Sequence, residues 1–311
     1  MELSMVLLSK LTSMMLYVVL GFVLVRAGFL RSSDSVLLSR ITVWVLQPCI
    51  IIHAMEIELT HERMQGFVAC LIFSFSAYMV WILVSKVLKK PLRLDGVDED
   101  TLVYSNVGNL VLPLISMVLG EEMVFYGSAI QIPFNLFIWT HGLSTIRGTR
   151  GIDVKRMLRN SNMIALLAGL VMLFAGVRLP EVIDTSVSGF ASMLGPMSML
   201  VVGVVIADSK IKDVLLFKRA YLILFGRLIA YPMLAMGLLY VSGIAGRYPQ
   251  VIPALMVTLL SLCAPPSSTI SQLAVVYDVQ PIKAGIYNVL GTFLCVITMP
   301  LIILLYQMIF M

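Results

Sequence analysis

Hydrophobic positions along this chain fall in long unbroken runs, separated by short stretches that carry nearly all of its charge, glycine and proline. A run of about 20 apolar residues is what a helix needs to cross the hydrocarbon layer of a membrane. The pattern predicts ten such helices, over 4–25, 36–55, 65–88, 101–120, 122–146, 161–177, 186–206, 219–242, 250–275 and 281–309. Spans 4 and 5 are almost continuous, with only Gly120-Glu121-Glu122 between them, and span 6 is short.

Composition agrees with the pattern. Of 311 residues, 59% are hydrophobic and only 13% are charged, and the mean hydropathy is +0.98. A soluble domain is nearer 45–50% apolar and about 25% charged. A water-soluble globule could not hide this much apolar surface, and a disordered chain needs the opposite composition. The fold class is therefore all-α integral membrane, with no stretch left over for a second, water-soluble domain. The four cysteines, Cys49, Cys70, Cys263 and Cys295, sit inside apolar runs without metal-ligand or disulfide spacing. They read as small buried hydrophobes, and no metal or other cofactor is expected. The first run carries Glu2 and Lys10 near its start and Arg26 and Arg31 after it. A cleavable leader has its positive charge before the apolar run, so this one reads as a retained span.

The net charge of +5 is a topology signal here and does not point to nucleic acid. Lysine and arginine favour the cytoplasmic side of short loops. With the N-terminus outside, the inner loops hold Arg26, Arg31, Arg40, Lys86, Lys89, Lys90, Arg93, Arg147, Arg150, Lys155, Arg156, Arg159, Lys210, Lys212, Lys218, Arg219 and Lys283. Outside remain Lys10, Arg63, Arg178 and Arg247, with Arg227 inside span 8. Both termini are expected outside the cytoplasmic membrane.

A shift of 148 residues places Gly21, Val23, Ala27, Gly28, Leu46 and Pro48 on Gly169, Val171, Ala175, Gly176, Leu194 and Pro196. Further along, a shift of 153 places Pro113 on Pro266 and Asn135 on Asn288. The chain thus reads as a first repeat over 1–146, a connecting loop over 147–160 and a second repeat over 161–311. Five spans per repeat invert the second copy, an architecture common among secondary transporters.

Two spans are interrupted near their midpoints. Span 4 carries Asn106, Gly108, Asn109 and Pro113, and span 9 carries Pro265, Pro266, Ser267, Ser268 and Thr269. Proline removes a donor and clashes with the preceding turn. Freed backbone groups in lipid must be satisfied within protein or at a water-lined cavity. The amides and hydroxyls can do so, and can also hold a solute. Paired interruptions at matching places in two halves are the sequence pointer to a transporter's binding site. Half-helix N-termini carry partial positive charge, which suits a carboxylate. No Asp or Glu falls mid-span, where a cation carrier usually keeps one. Asn135 and Gln131 on span 5 and Tyr287 and Asn288 on span 10 are further cavity candidates, and His141 reads as an interface residue. Arg227 lies roughly two turns into span 8 and has two readings, a functional buried charge or a side chain that snorkels to the interface. The 21 methionines read as adaptable packing. No HExxH, GxSxG or P-loop occurs, so an enzyme or an ATP-driven pump is not expected.

The run SNVGNLVLPLISMVLGEE with FNLFIWTHG, and the segment from Asn160 to Asp208 with NMIALLAGLVMLFAGVRLPE and GPMSMLVVGVVIAD, resemble the auxin efflux carrier family of membrane transporters, whose bacterial members are often labelled malate permeases. The resemblance covers nearly all ten spans. It implies a five-plus-five inverted repeat in which spans 4 and 9 cross at their prolines. It also implies a scaffold of spans 1, 2, 6 and 7 and an elevator-like moving bundle of spans 3–5 and 8–10. Carried onto this chain, the crossover positions are Asn109, Pro113, Pro265 and Pro266. The implied activity is alternating-access transport of a small organic anion, a mono- or dicarboxylate. A sodium-coupled organic-anion symporter of similar fold, or a membrane sensor, are the competing readings. Expected partners are that anion, membrane lipid and a second copy joined through the scaffold helices. The long loop of many plant members is absent, since about fifteen residues join spans 5 and 6.

Overall fold

The computed structural model describes residues 2–148, 159–207 and 215–311. Arg150, Lys155, Arg156, Asp208, Lys210 and Lys212, which the topology and family readings used, lie outside the described residues. Among those described, the secondary structure is helical, with one isolated antiparallel bridge between Ser105 and Pro266. In chain order the helices are α1 (Glu2–Arg26), α2 (Ser32–His53), α3 (His61–Lys89), α4 (Gly96–Val103), α5 (Val107–Leu119), α6 (121–147), α7 (Ser161–Ala175), α8 (Glu181–Ile206), α9 (Lys218–Ser242), α10 (Pro249–Leu262), α11 (Ser268–Val276) and α12 (Pro281–Phe310). Helices α2, α3, α8, α9 and α12 are long and apolar enough to cross a membrane; α5, α7, α10 and the Thr12–Arg26 stretch of α1 are shorter apolar helices.

Local sequence sets the boundaries. Thr60 caps α3 by accepting the Arg63 N–H, with Glu62 in the first turn and Lys86 and Lys89 in the last, charges placed to suit the helix dipole. Asn160 caps α7 through bonds from the Asn162 and Met163 amides. Among the described residues, four stretches wind wider than an α-helix, at Thr42–Leu46, Val107–Val111, Ile138–Gly142 and Gly226–Ala230. Such π-turns expose backbone groups and recur at functional sites.

Most helix contacts fall within two groups, which α1 joins by packing on α12 and α5. In the first, α1 lies on α8 and α7 lies on α2. These contacts use the glycines aligned by the repeat. A methyl group on Gly21 of α1 would meet the Leu200 carbonyl of α8 at 2.2 Å, and one on Gly169 of α7 would meet Met55 beyond α2 at 2.7 Å. Gly203 of α8 lies equally close to the Val18 carbonyl of α1. In the second group α3 packs on α6 and α10, while α12 packs on α9, α10 and α11. An aromatic cluster fills its centre: Trp81 stacks on Tyr231 at 5.0 Å and Tyr78 on Tyr104 at 6.1 Å.

One segment departs from the sequence reading. The acidic run before span 4 is the buried start of α4. Asp95 caps that helix in a reciprocal bond with Asp98, and Asp98, Glu99 and Asp100 are all buried. The charge of Asp98 and Glu99 is met by cations from three other helices. Arg219 and Lys283 pair with Asp98, Lys283 also reaches Asp95, and Lys89 reaches Glu99 at 2.7 Å. Tyr287 donates to Asp98 at 2.6 Å. Both oxygens of Asp100 lack a hydrogen-bond partner.

Candidate functional site

Helices α4 and α10 stop in mid-molecule, and the chain resumes as α5 and α11. The two breaks meet as a short antiparallel pair: the Asn106 N–H donates to the Pro265 carbonyl at 2.8 Å, and the Ser267 N–H donates to the Tyr104 carbonyl at 3.0 Å. Tyr78 and Ser105 share a hydroxyl bond at 3.2 Å, and Asn288 donates to the Pro266 carbonyl at 3.0 Å. Backbone freed by proline and glycine is thus satisfied inside protein.

The C-terminal ends of the two stopped helices share one cation. Arg227, on the π-turn of α9, is fully buried. Its guanidinium donates to Leu102 and Val103 at the end of α4, at 3.3 and 3.2 Å. It also donates to Leu262 and Ala264 at the end of α10, at 2.7 and 3.2 Å. Trp81 lies beneath it, 4.8 Å from ring centre to guanidinium carbon. A helix C-terminus carries about half a negative charge, so two of them offset one guanidinium without a carboxylate. Of the two readings of Arg227, snorkelling is excluded by its burial.

The N-terminal ends of α5 and α11 face the other way, into a cavity of about 690 Å³ between the two helix groups. The second group contributes Asn106, Gly108, Asn109, Gln131, Asn135, Ser267, Ser268, Thr269 and Gln272. From the first group come Trp44 and Gln47 of α2, and Arg159 and Asn162 at the start of α7. A string of amides crosses the gap. Asn162 donates to Gln47 at 2.7 Å, Gln47 to Asn109 at 2.6 Å, and Asn109 to Ser268 at 2.6 Å. Gly108 makes the approach possible, because a side chain there would meet the Gln47 amide at 2.3 Å. Gln131 Nε2 and Asn162 Oδ1 are buried without a partner, a donor and an acceptor left on the cavity wall.

Eight of the residues singled out in the sequence line this cavity: Asn106, Gly108, Asn109, Gln131, Asn135, Ser267, Ser268 and Thr269. The other six stand behind it. Pro113 packs on Gly195 of α8. Pro265 and Pro266 present carbonyls to Asn106 and Asn288, which turns Asn288 toward the break and away from the cavity. Tyr287 is drawn to Asp98 and Arg227 to the helix ends. His141, read as an interface residue, bonds Tyr104 at 3.0 Å. Sequence reasoning missed Gln47, Asn162, Arg159 and Gln272. The one local signal was Gln47, an amide in an apolar run beside Pro48. Arg159 brings one cation to the cavity wall from outside the two interrupted spans.

The family model described as membrane transport protein matches the chain twice, over residues 6–151 and 146–303. The chain belongs to that family, the auxin efflux carrier family. Among the curated proteins, none matches it. One interrupted helix falls within each matched stretch. Family membership makes this a multi-pass membrane transporter, in a family of transporters and not of enzymes.

Proposed function

We propose that this family member is a secondary carrier for a small organic anion, a mono- or dicarboxylate, held where the interrupted helices cross. One observation carries the reading. Arg227 neutralises the C-terminal ends of α4 and α10 on one side of the crossover, while the N-terminal ends of α5 and α11 face the cavity with amides and hydroxyls. The positive ends of two helices are thereby left for a solute, and such ends bind carboxylates. Arg159 at the cavity wall adds an attractive charge on the approach. A volume of about 690 Å³ is in the range of small-molecule sites.

In this reading α1, α2, α7 and α8 form the fixed scaffold of an inverted repeat. Helices α3–α6 and α9–α12 move as a bundle carrying the crossover. The basic loops face the cytoplasm and both termini lie outside. The cavity sits toward the end where α6 stops and α7 begins, so it faces inward. The Asn162–Gln47–Asn109 string spans the boundary between scaffold and bundle, and a carboxylate entering the cavity competes for those amides.

Transport by two variants at Asn109 tests the charge assignment. Asn109→Asp places a carboxylate beside that of the solute. At an effective dielectric of about 20, like charges roughly 4 Å apart repel by about 4 kcal/mol, about three orders of magnitude in affinity. Asn109→Ala removes one half-buried hydrogen-bonding group, a loss of about 1–3 kcal/mol. Uptake of a labelled carboxylate into proteoliposomes, at equal protein incorporation, is expected to fall further in the Asp variant than in the Ala variant. Equal or reversed order would overturn the anion assignment.

A further inference from the structure

The end of the molecule remote from the cavity holds a second cluster. His53 is the last residue of α2, Glu56 follows it, and Asp184 lies in the first turn of α8. His53 Nδ1 is 3.1 Å from the Asp184 carboxylate. One ligand atom from each of the three residues lies within 4.8 Å of the others. The Leu179 amide fixes Glu56 by donating to it at 2.7 Å. On the other side of the ring, His53 Nε2 is 3.2 Å from Glu121 at the start of α6, which belongs to the other helix group. Three carboxylates therefore converge on one imidazole. Among the described residues, no lysine or arginine bonds to Glu56, Glu121 or Asp184; nearby Arg63 pairs with Glu122 instead, at 2.9 Å.

We propose that His53, Glu56 and Asp184 form a divalent-cation site of zinc type, with Glu121 orienting the histidine. Three convergent negative charges call for a cation, and the donor set selects its kind. Magnesium and calcium prefer shells of six or more oxygens. One imidazole and two carboxylates, with a fourth position left for water, suit zinc. A histidine that binds zinc through one nitrogen characteristically donates its other N–H to a carboxylate, and Glu121 stands in that place. Zinc–ligand bonds of about 2.0–2.2 Å put the donor atoms of a tetrahedral site about 3.4 Å apart, so the widest pair here, within 4.8 Å, closes by up to about 1.4 Å, while His53 and Asp184, at 3.1 Å, separate slightly. The bound ion joins α2 to α8 and, through His53, holds the start of α6 against them. The sequence reading expected no metal from the spacing of the cysteines; this cluster joins residues far apart along the chain, with 131 residues separating His53 from Asp184.

The test uses the full chain, free of any affinity tag, stripped of metal in detergent. Calorimetric titration with Zn²⁺ is expected to show one equivalent of saturable binding that a comparable concentration of Mg²⁺ does not reproduce. His53→Ala is expected to weaken it by at least a hundredfold, and Glu56→Gln and Asp184→Asn by at least tenfold each. Glu121→Gln, which removes only the orienting carboxylate, is expected to weaken it by about tenfold. His61→Ala, outside the cluster, should bind as the parent does. Co²⁺ substitution in the unmutated protein gives a readout independent of variant folding, the intense visible bands of a four-coordinate ion. No saturable equivalent, a featureless Co²⁺ spectrum, or unchanged Zn²⁺ binding in His53→Ala overturns the proposal. A His53 contact that responds to pH but not to Zn²⁺ overturns it too.

Discussion

Asp98 and Asp100 stand two residues apart on one buried turn of α4, in opposite circumstances. Asp98 is ringed by Arg219, Lys283 and Tyr287. Asp100 has no bond to either oxygen, and His141 comes no nearer than 4.0 Å. Removing one partner of a buried charge cluster costs about 3–5 kcal/mol, because the remaining charges stay buried and unpaired. Arg219 is about one-third exposed, so Asp98→Asn belongs near the lower figure. Asp100→Asn does the reverse. It removes a buried carboxyl that no hydrogen bond holds and that only Lys89 and a distant His141 oppose in charge, and stability is expected to rise by about 1–3 kcal/mol. Thermal unfolding in detergent checks the pair, and the expected result is a lower midpoint for Asp98→Asn and a higher one for Asp100→Asn. A drop in both would mean that Asp100 has a partner in the folded protein. None of this was legible along the chain. The acidic run falls between the spans expected at 65–88 and 101–120, and its role emerges only when Lys89, Arg219 and Lys283, from three helices up to 188 residues away, are brought against it.

At the scale of elements, the breaks themselves were readable and their completion was not. Gly108, Pro265 and Pro266 weaken helical geometry and stand among amides and hydroxyls that can bond the freed backbone, whereas Pro133, Pro196 and Pro300 lie inside continuous helices; that clustering let both interruptions be placed from sequence. What the freed carbonyls bond to is a question of tertiary structure. Arg227 is 125 residues from Leu102 and 35 from Leu262, and its spacing within span 8 suits an interface residue equally well. The architecture makes a definite demand on it. Arg227→Met leaves four carbonyls without their donor and the ends of α4 and α10 without a counter-charge. Hydrogen bonds to a charged group are worth about 1.5–3 kcal/mol each, although such losses do not sum. A destabilisation of at least 3 kcal/mol is expected. Arg227→Lys keeps the charge but cannot bridge two helix ends with one planar fork, and should fall between parent and Met variant. Unfolding midpoints of the three proteins give the order, and a Met variant as stable as the parent would remove Arg227 from this role.

For the whole molecule, two of the glycines that the sequence aligned, Gly21 and Gly169, both sit at close helix contacts, Gly21 on α8 and Gly169 near the end of α2. The cavity was half visible. Its second-group wall lies in the interrupted segments, which carry unusual residues. Its first-group wall, Gln47, Arg159 and Asn162, consists of single polar residues that gain meaning only when α2 and α7 face the crossover. That division matters for mechanism. A cavity walled by both helix groups changes its accessible side if one group moves against the other. Gln272 lies on the cavity wall and is exposed to it, so Gln272→Cys reports on access. Of the native thiols, Cys70, Cys263 and Cys295 are buried and Cys49 is half-buried, so Cys49→Ala supplies the background. Lys90→Cys and Arg247→Cys, both at exposed positions, mark the basic-loop face and the face opposite. A membrane-impermeant maleimide is expected to label Gln272→Cys from the Lys90 side in the resting protein. With a transported carboxylate present, labelling from the Arg247 side should appear, because turnover populates the state in which the bundle has carried the crossover across. Ligand that merely plugs the cavity would slow labelling from the first side and add none from the second. Access confined to one side in every condition would leave a binding protein in place of a carrier.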